Sequence, residues 1–245
     1  ILTITGYYDD DQLGAIHYFT EHKKWNQNAL NNHYLLIGPY DHPGAQGFPQ
    51  KLLANYKVDS VAVISIQDLA FKWFDYAMKD SSKPEILQDK VNFQVMGKNE
   101  WRHVSSLEKM NNDTLTFYLT KGEKSGSFKL EKMQPVKNSF INQTVDFRDR
   151  GFIRFEDDIL AGVDRIIDSV VRNSKDEMVF VSEPLNQQVE INGSVIADIY
   201  ASVNKKDMDL VMYVFVQEPD GKYFYLNRNL QRASMAKDRT KRQLL

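Results

Sequence analysis

Ile1-Leu-Thr-Ile-Thr-Gly-Tyr-Tyr-Asp9 and Tyr34-Leu-Leu-Ile-Gly-Pro-Tyr-Asp-His42 are the two stretches whose reading decides the fold. Each opens on a short apolar run with no polar alternation. Each then leaves through a glycine into a polar turn. Strands apolar on both faces belong to parallel sheets covered on both sides. Between them, Leu13 to Lys24 has a helical period, with Leu13, Ile16, His17 and Phe19/Thr20 on one side. The polar run 26–32 ends that helix. In open α/β sheets, ligands gather beyond the carboxyl ends of the strands. An aspartate and a histidine just past two such ends, 33 residues apart, can meet there.

The chemistry of such a pair is specific. A carboxylate accepts from one imidazole nitrogen, fixes the tautomer and stabilises the imidazolium formed when the other nitrogen takes a proton. Spacing alone leaves plainer roles open. An Asp at a strand end serves turns and helix caps, and a His after Gly-Pro can be a surface turn residue. The run Asp9-Asp10-Asp11 could also hold a hard cation, although three successive residues cannot all face one ion and the spacing is not that of an EF-hand loop.

Further along, Ser65 to Met78 is a helix, with Ser65 and Asp68 as its cap and Ile66, Leu69, Ala70, Trp73 and Ala77 as its apolar stripe. Residues 81–84, Ser-Ser-Lys-Pro, read as a linker. The periodicity then changes to two. Strands are expected at Val91–Met96, Leu115–Leu119, Met178–Ser182, Gln188–Ile191, Val195–Ser202, Leu210–Gln217 and Tyr223–Leu226, the last two joined by a turn at Pro219-Asp-Gly221. Many short alternating strands argue for a β-sandwich. Residues 155–171 read as a helix or an inserted loop. The fold class expected is therefore α/β followed by all-β, divided at residues 82 and 83.

Composition narrows the function. The 245 residues are 42% apolar and 26% charged, and the net charge is −2 from 31 basic and 33 acidic residues. Nothing there calls for a nucleic acid or a membrane. The densest basic stretch, Arg228, Arg232, Lys237, Arg239, Lys241 and Arg242, has no interleaved aromatic residues for stacking on bases and reads as solvated surface. With no cysteine, disulfides, thiolate catalysis and Cys-based zinc sites are excluded. The opening residues are too short and uncharged for a signal peptide, and the compartment stays open. A chain that opens inside an apparent core strand reads as a piece of a longer protein.

Several motifs carry a family resemblance. Gly6-Tyr-Tyr-Asp9 resembles the acid-bearing motif of the serine hydrolases grouped with cocaine esterase, X-prolyl dipeptidyl-peptidase, α-amino-acid ester hydrolase and glutaryl-7-ACA acylase. Gly38-Pro-Tyr-Asp-His42 is similar to their Gly-Pro-Trp-x-His motif. Trp73-Phe-Asp75 resembles the helix that closes their hydrolase domain. Met96-Gly-Lys-Asn-Glu-Trp-Arg102 resembles the entry to their C-terminal domain. Ser182-Glu-Pro-Leu185, Ile191-Asn-Gly193 and Asp209 with Pro219-Asp-Gly221 follow in order.

The resemblance implies the C-terminal part of an α/β-hydrolase domain over 1–82 and a jelly-roll β-sandwich over 83–245. It implies Asp9 as the triad acid, His42 as the general base, and Asp11 and Tyr7 at the substrate, a small ester or amide. It requires no cofactor and leaves a homo-oligomer open. Gly14-Ala-Ile-His17 most resembles the ester hydrolases, whose acidic residues after the catalytic Asp bind an α-ammonium group. Gln12 departs from that pattern. The nucleophile motif Gly-x-Ser-x-Gly occurs nowhere in the chain, so these residues alone are expected to be inactive. The competing expectation is a carbohydrate-binding β-sandwich, with Trp73 or Trp101-Arg102 as a sugar platform.

Overall fold

The computed structural model describes residues 1–26, 31–124, 127–136, 140–146, 148, 165–170, 177–235 and 243–244. Leu2–Gly6 (β1), Gln12–Trp25 (α1) and Tyr34–Gly38 (β2) form a strand–helix–strand unit. β1 and β2 pair in parallel, Leu2 beside Tyr34 through Gly6 beside Gly38. All five residues of β2 are buried, as an apolar central strand requires. A one-turn helix, His42–Ala45 (α2), follows, then a small hairpin of Leu52–Leu53 (β3) and Tyr56–Lys57 (β4), then Ile66–Lys79 (α3). The Ser65 hydroxyl caps α3 by accepting from the Asp68 N–H at 3.1 Å.

The two faces of β2 explain its burial. Leu35 and Ile37 pack with Phe19 of α1. Tyr34 and Leu36 pack with Ile66, Leu69 and Trp73 of α3. The packed side of α1 is set by Phe19, with Leu13, His17 and Thr20 exposed. The stripe expected through Leu13 is therefore displaced: only Phe19, 1% exposed, reaches beneath the sheet.

The sheet does not stop at the expected linker. Val91–Val95 (β5) pairs in parallel with β2, and Glu100–Val104 (β6) pairs antiparallel with β5, giving the order β1-β2-β5-β6. The alternation in β5 is not apolar-in, polar-out. Asn92 and Gln94 are both fully buried. Asn92 donates to the Asp89 carbonyl at 2.7 Å, and Gln94 donates to Asp59 Oδ2 at 2.9 Å.

The remainder is strand-rich. Tyr118–Lys121 (β7), Phe128–Glu131 (β8), Ile167–Asp168 (β9), Phe180–Ser182 (β10), Tyr200–Ala201 (β11), Asp209–Gln217 (β12), Tyr223–Arg232 (β13) and Gln243–Leu244 (β14) form sheets β10-β8-β7, β12-β13-β9 and β11-β14. The long β12–β13 hairpin turns where Pro219-Asp-Gly221 predicts, with Gly221 at φ +86°.

Residues 188–191 form no strand, and of 195–202 only Tyr200–Ala201 pairs. Their apolar side chains, Ile191 and Ile196 among them, are exposed, so no facing layer fixes a ladder there. Of the segment 155–171, residues 155–164 and 171 lie outside the described residues, as do Lys237, Arg239, Lys241 and Arg242. Trp73 is 7% exposed, and Trp101 is half-buried against the same core with its indole N–H donated to the Val61 carbonyl at 2.8 Å. Among the described residues, no helix is long and apolar enough to cross a membrane.

Candidate active site

Asp9 and His42 leave the carboxyl ends of the adjacent strands β1 and β2. Two backbone bonds tie those ends together: the Tyr7 N–H donates to the Gly38 carbonyl at 2.9 Å, and the Tyr8 N–H to the Tyr40 carbonyl at 3.0 Å. Glycine is needed at both ends for a steric reason. A Cβ on Gly6 would lie 2.0 Å from the Tyr40 carbonyl oxygen, and one on Gly38 would lie 2.2 Å from the Tyr40 ring. Tyr40 fits beneath both strand ends, 1% exposed, and donates its hydroxyl to the Ala62 carbonyl at 2.8 Å. That anchor fixes the start of α2. Asp41 caps it by accepting from the Gly44 N–H at 2.8 Å, which sets His42 at its first position.

The pair meets. His42 Nδ1 lies 3.0 Å from Asp9 Oδ1. The Asp9 carboxylate is 6% exposed and accepts two further bonds, from the Thr5 hydroxyl at 3.1 Å and the Asp11 N–H at 3.0 Å. A carboxylate only accepts, so Nδ1 carries the proton and Nε2 of the neutral ring is bare. The Gln46 carboxamide donates to that Nε2 at 2.6 Å.

Asp10 Oδ1 and Asp11 Oδ2 stand 3.5 and 3.6 Å from the same Nδ1, both exposed. His42 accordingly titrates above its ordinary value: the hydrogen bond to Asp9 raises it most, desolvation opposes that next, and the charges of Asp9, Asp10 and Asp11 each add a further upward push. Asp9, Asp10 and His42 offer ligand atoms within 4.8 Å of one another, close enough for one ion. A cation there would have to displace the proton that joins Nδ1 to Asp9.

An open cleft of about 390 Å³ adjoins the pair, lined by Ile4, Asp9, Asp11, Gly14, Ala15, His42, Ala45 and Gln46. Asp11 lines this cleft. Tyr7 does not line it. Its hydroxyl donates to the Gln94 carbonyl at 2.8 Å, and burial raises its pKa. Gln12 turns back and donates to the Gly6 carbonyl at 2.9 Å, bracing the turn instead of facing a ligand. Thr5 and Gln46 escaped the sequence reading. Thr5 was legible as an inward residue of an apolar strand, whereas nothing in the sequence marks Gln46.

A family model described as the X-Pro dipeptidyl-peptidase C-terminal non-catalytic domain matches residues 87–243. Asp9 and His42 precede that match. No curated protein shows a significant match to the chain. Among solved structures, a selenomethionine-labelled α-amino acid ester hydrolase superposes with a TM-score of 0.62 at 19% identity. An aminopeptidase from the marine sediment archaeon Thaumarchaeota archaeon superposes with a TM-score of 0.64 at 16% identity. In both cases the likeness covers 100% of this chain and 42% of the other. At such identities it shows a shared fold.

Proposed function

This chain belongs to the family of the X-Pro dipeptidyl-peptidase C-terminal non-catalytic domain, and we propose that it is part of a serine hydrolase whose acid and base it carries ahead of that domain. In this reading, residues 1–82 contribute to an α/β-hydrolase domain whose sheet β5 and β6 extend, and the strand-rich remainder of 83–245 contributes to a jelly-roll sandwich. The nucleophilic serine comes from chain outside these 245 residues. The chain spans 42% of the length of each structural relative, which leaves room for it. Exposed apolar residues on α1, Leu13 and Trp25, and on α3, Phe71 and Met78, are surfaces that further chain would cover.

The observation that carries the reading is the orientation of His42, with Nδ1–H on a buried carboxylate at 3.0 Å and Nε2 toward an open cleft. A serine hydroxyl taking the place of the Gln46 amide at Nε2 would give up its proton there while attacking the carbonyl carbon of an ester or amide. Asp9 would stabilise the resulting imidazolium. The imidazolium then protonates the leaving group, and water releases the acyl group by the same route in reverse. The exposed carboxylates of Asp10 and Asp11 favour a substrate with a positive charge near the scissile bond. No cofactor is required.

The test is hydrolysis of p-nitrophenyl esters by the full-length protein. His42→Ala should lower kcat by about a thousandfold or more. An unchanged rate would remove His42 as the base.

A further inference from the structure

The turn carrying Asp9 is gripped from a distant part of the chain. The Tyr8 hydroxyl donates to the carbonyl of Tyr225 in β13 at 2.9 Å, across 217 residues, and the two rings lie 6.1 Å apart. Tyr8 is 9% exposed. β13 is itself held at that point. The Tyr225 N–H donates to the Ile166 carbonyl at 2.8 Å. Asn55, between β3 and β4, accepts from the N–H groups of Ile166 and Ile167 at 2.9 and 3.0 Å and donates to the Ile167 carbonyl. Phe224 meets Tyr56 edge to face at 5.7 Å. So residues inside the family match bind both the acid-bearing turn and the small hairpin, which precede it.

We infer that β13, acting through Tyr8, holds the turn so that Asp9 rather than Asp10 or Asp11 accepts the hydrogen bond from His42 Nδ1–H. The C-terminal part then bears directly on the catalytic pair, and Tyr8 is a positioning residue. Three carboxylates stand within 3.6 Å of one N–H. Two of them, Asp10 and Asp11, are exposed. The backbone of the turn decides among them, and the Tyr8 hydroxyl ties that turn to β13. Asp9 alone is buried and backed by Thr5, so only that choice holds the ring in one orientation. The inference rests on the reading of Asp9 and His42 as the catalytic pair.

The experiment is proton NMR titration of His42 in the full-length protein, with His103 as an internal reference. Tyr8→Phe removes one hydroxyl and keeps the ring. It should lower the His42 midpoint by roughly half a pH unit, as a solvated carboxylate partly replaces the buried one, and leave His103 unmoved. Asn55→Ala, which touches neither Asp9 nor His42, should move it the same way. In the full-length protein, Tyr8→Phe should lower kcat about tenfold with KM unchanged.

Asp9→Asn separates the two claims. A midpoint lowered by Asp9→Asn but unmoved by both other variants overturns the positioning role and leaves the pair intact. A midpoint indifferent to Asp9→Asn overturns the pair. If Tyr8→Phe does not fold, Asn55→Ala decides by the same readout. Loss of folding in both would make these contacts fold-bearing and equally overturn the positioning role.

Discussion

Acidifying the protein from pH 7.5 to 4.5 should cost it stability through one residue far from the cleft, His33. Its ring is 1% exposed. Both nitrogens are engaged, Nε2 with the Thr3 hydroxyl at 2.8 Å and Nδ1 with His22 Nδ1 at 2.9 Å, and Phe19 packs edge-on at 4.8 Å. Burial first, then the nearby His22, the Ile1 amino group and Lys23, push its pKa down to about 4. The unfolded chain would bind this proton near 6.5. Stability from the neutral ring is therefore fully present above 6.5 and is lost as pH falls toward 4. The whole gap is worth about 3 kcal/mol, of which about 2 is lost by pH 4.5, since that pH is still above the folded-state value. Urea unfolding at both pH values should show that loss as a midpoint lower by roughly half to one molar. His33→Gln, which is uncharged at both pH values, should abolish that part of the difference. Equal pH dependence in the two proteins, or a His33 signal titrating near 6.5, would refute the reasoning.

Gly6→Ala places a methyl 2.0 Å from the Tyr40 carbonyl oxygen and should destabilise by about 1–3 kcal/mol in thermal or urea melts, with a lowered His42 midpoint. Gly14→Ala is the contrasting case. It sits in α1 with nothing within 4 Å of an added methyl and should stabilise by about 0.5–1 kcal/mol, read by the same melts, while narrowing the cleft. Trp73→Ala removes a ring packed edge to face on Tyr34 at 5.4 Å and should cost about 3–5 kcal/mol. In the full-length protein, the acidic limb of the kcat/KM profile should lie above the ordinary histidine value, because His42 must be neutral to act and its carboxylates hold its proton. A limb at or below that value would contradict the geometry.

Local signals carried much of this structure. Apolar runs bounded by glycines located β1 and β2, the Ser65–Asp68 spacing located the start of α3, and Pro219-Asp-Gly221 located the β12–β13 turn. That Asp9 and His42 could meet was legible from two strands releasing their turns at the same edge, while their roles rested on the family resemblance. Partner choice was not legible. Val91–Val95 reads as a half-solvated strand of the second part, yet it joins β2, because the buried Asn92 and Gln94 side chains find hydrogen-bond partners in Asp89 and Asp59 that no periodicity reveals. The face expected of α1 was only partly right: Phe19 packs against His33 and β2, while Leu13, His17 and Thr20 of the same stripe stay exposed, which only tertiary packing decides. The grip of β13 on Tyr8 spans most of the chain and leaves no local trace.

The central physical claim concerns a single proton, and imidazole ¹⁵N shifts of His42 report it most directly. At a pH where the ring is neutral, the proton should reside on Nδ1 with Nε2 bare, and Asp9→Asn should disturb that preference. A ring protonated on Nε2, or a tautomer indifferent to residue 9, would contradict a base aimed at the cleft.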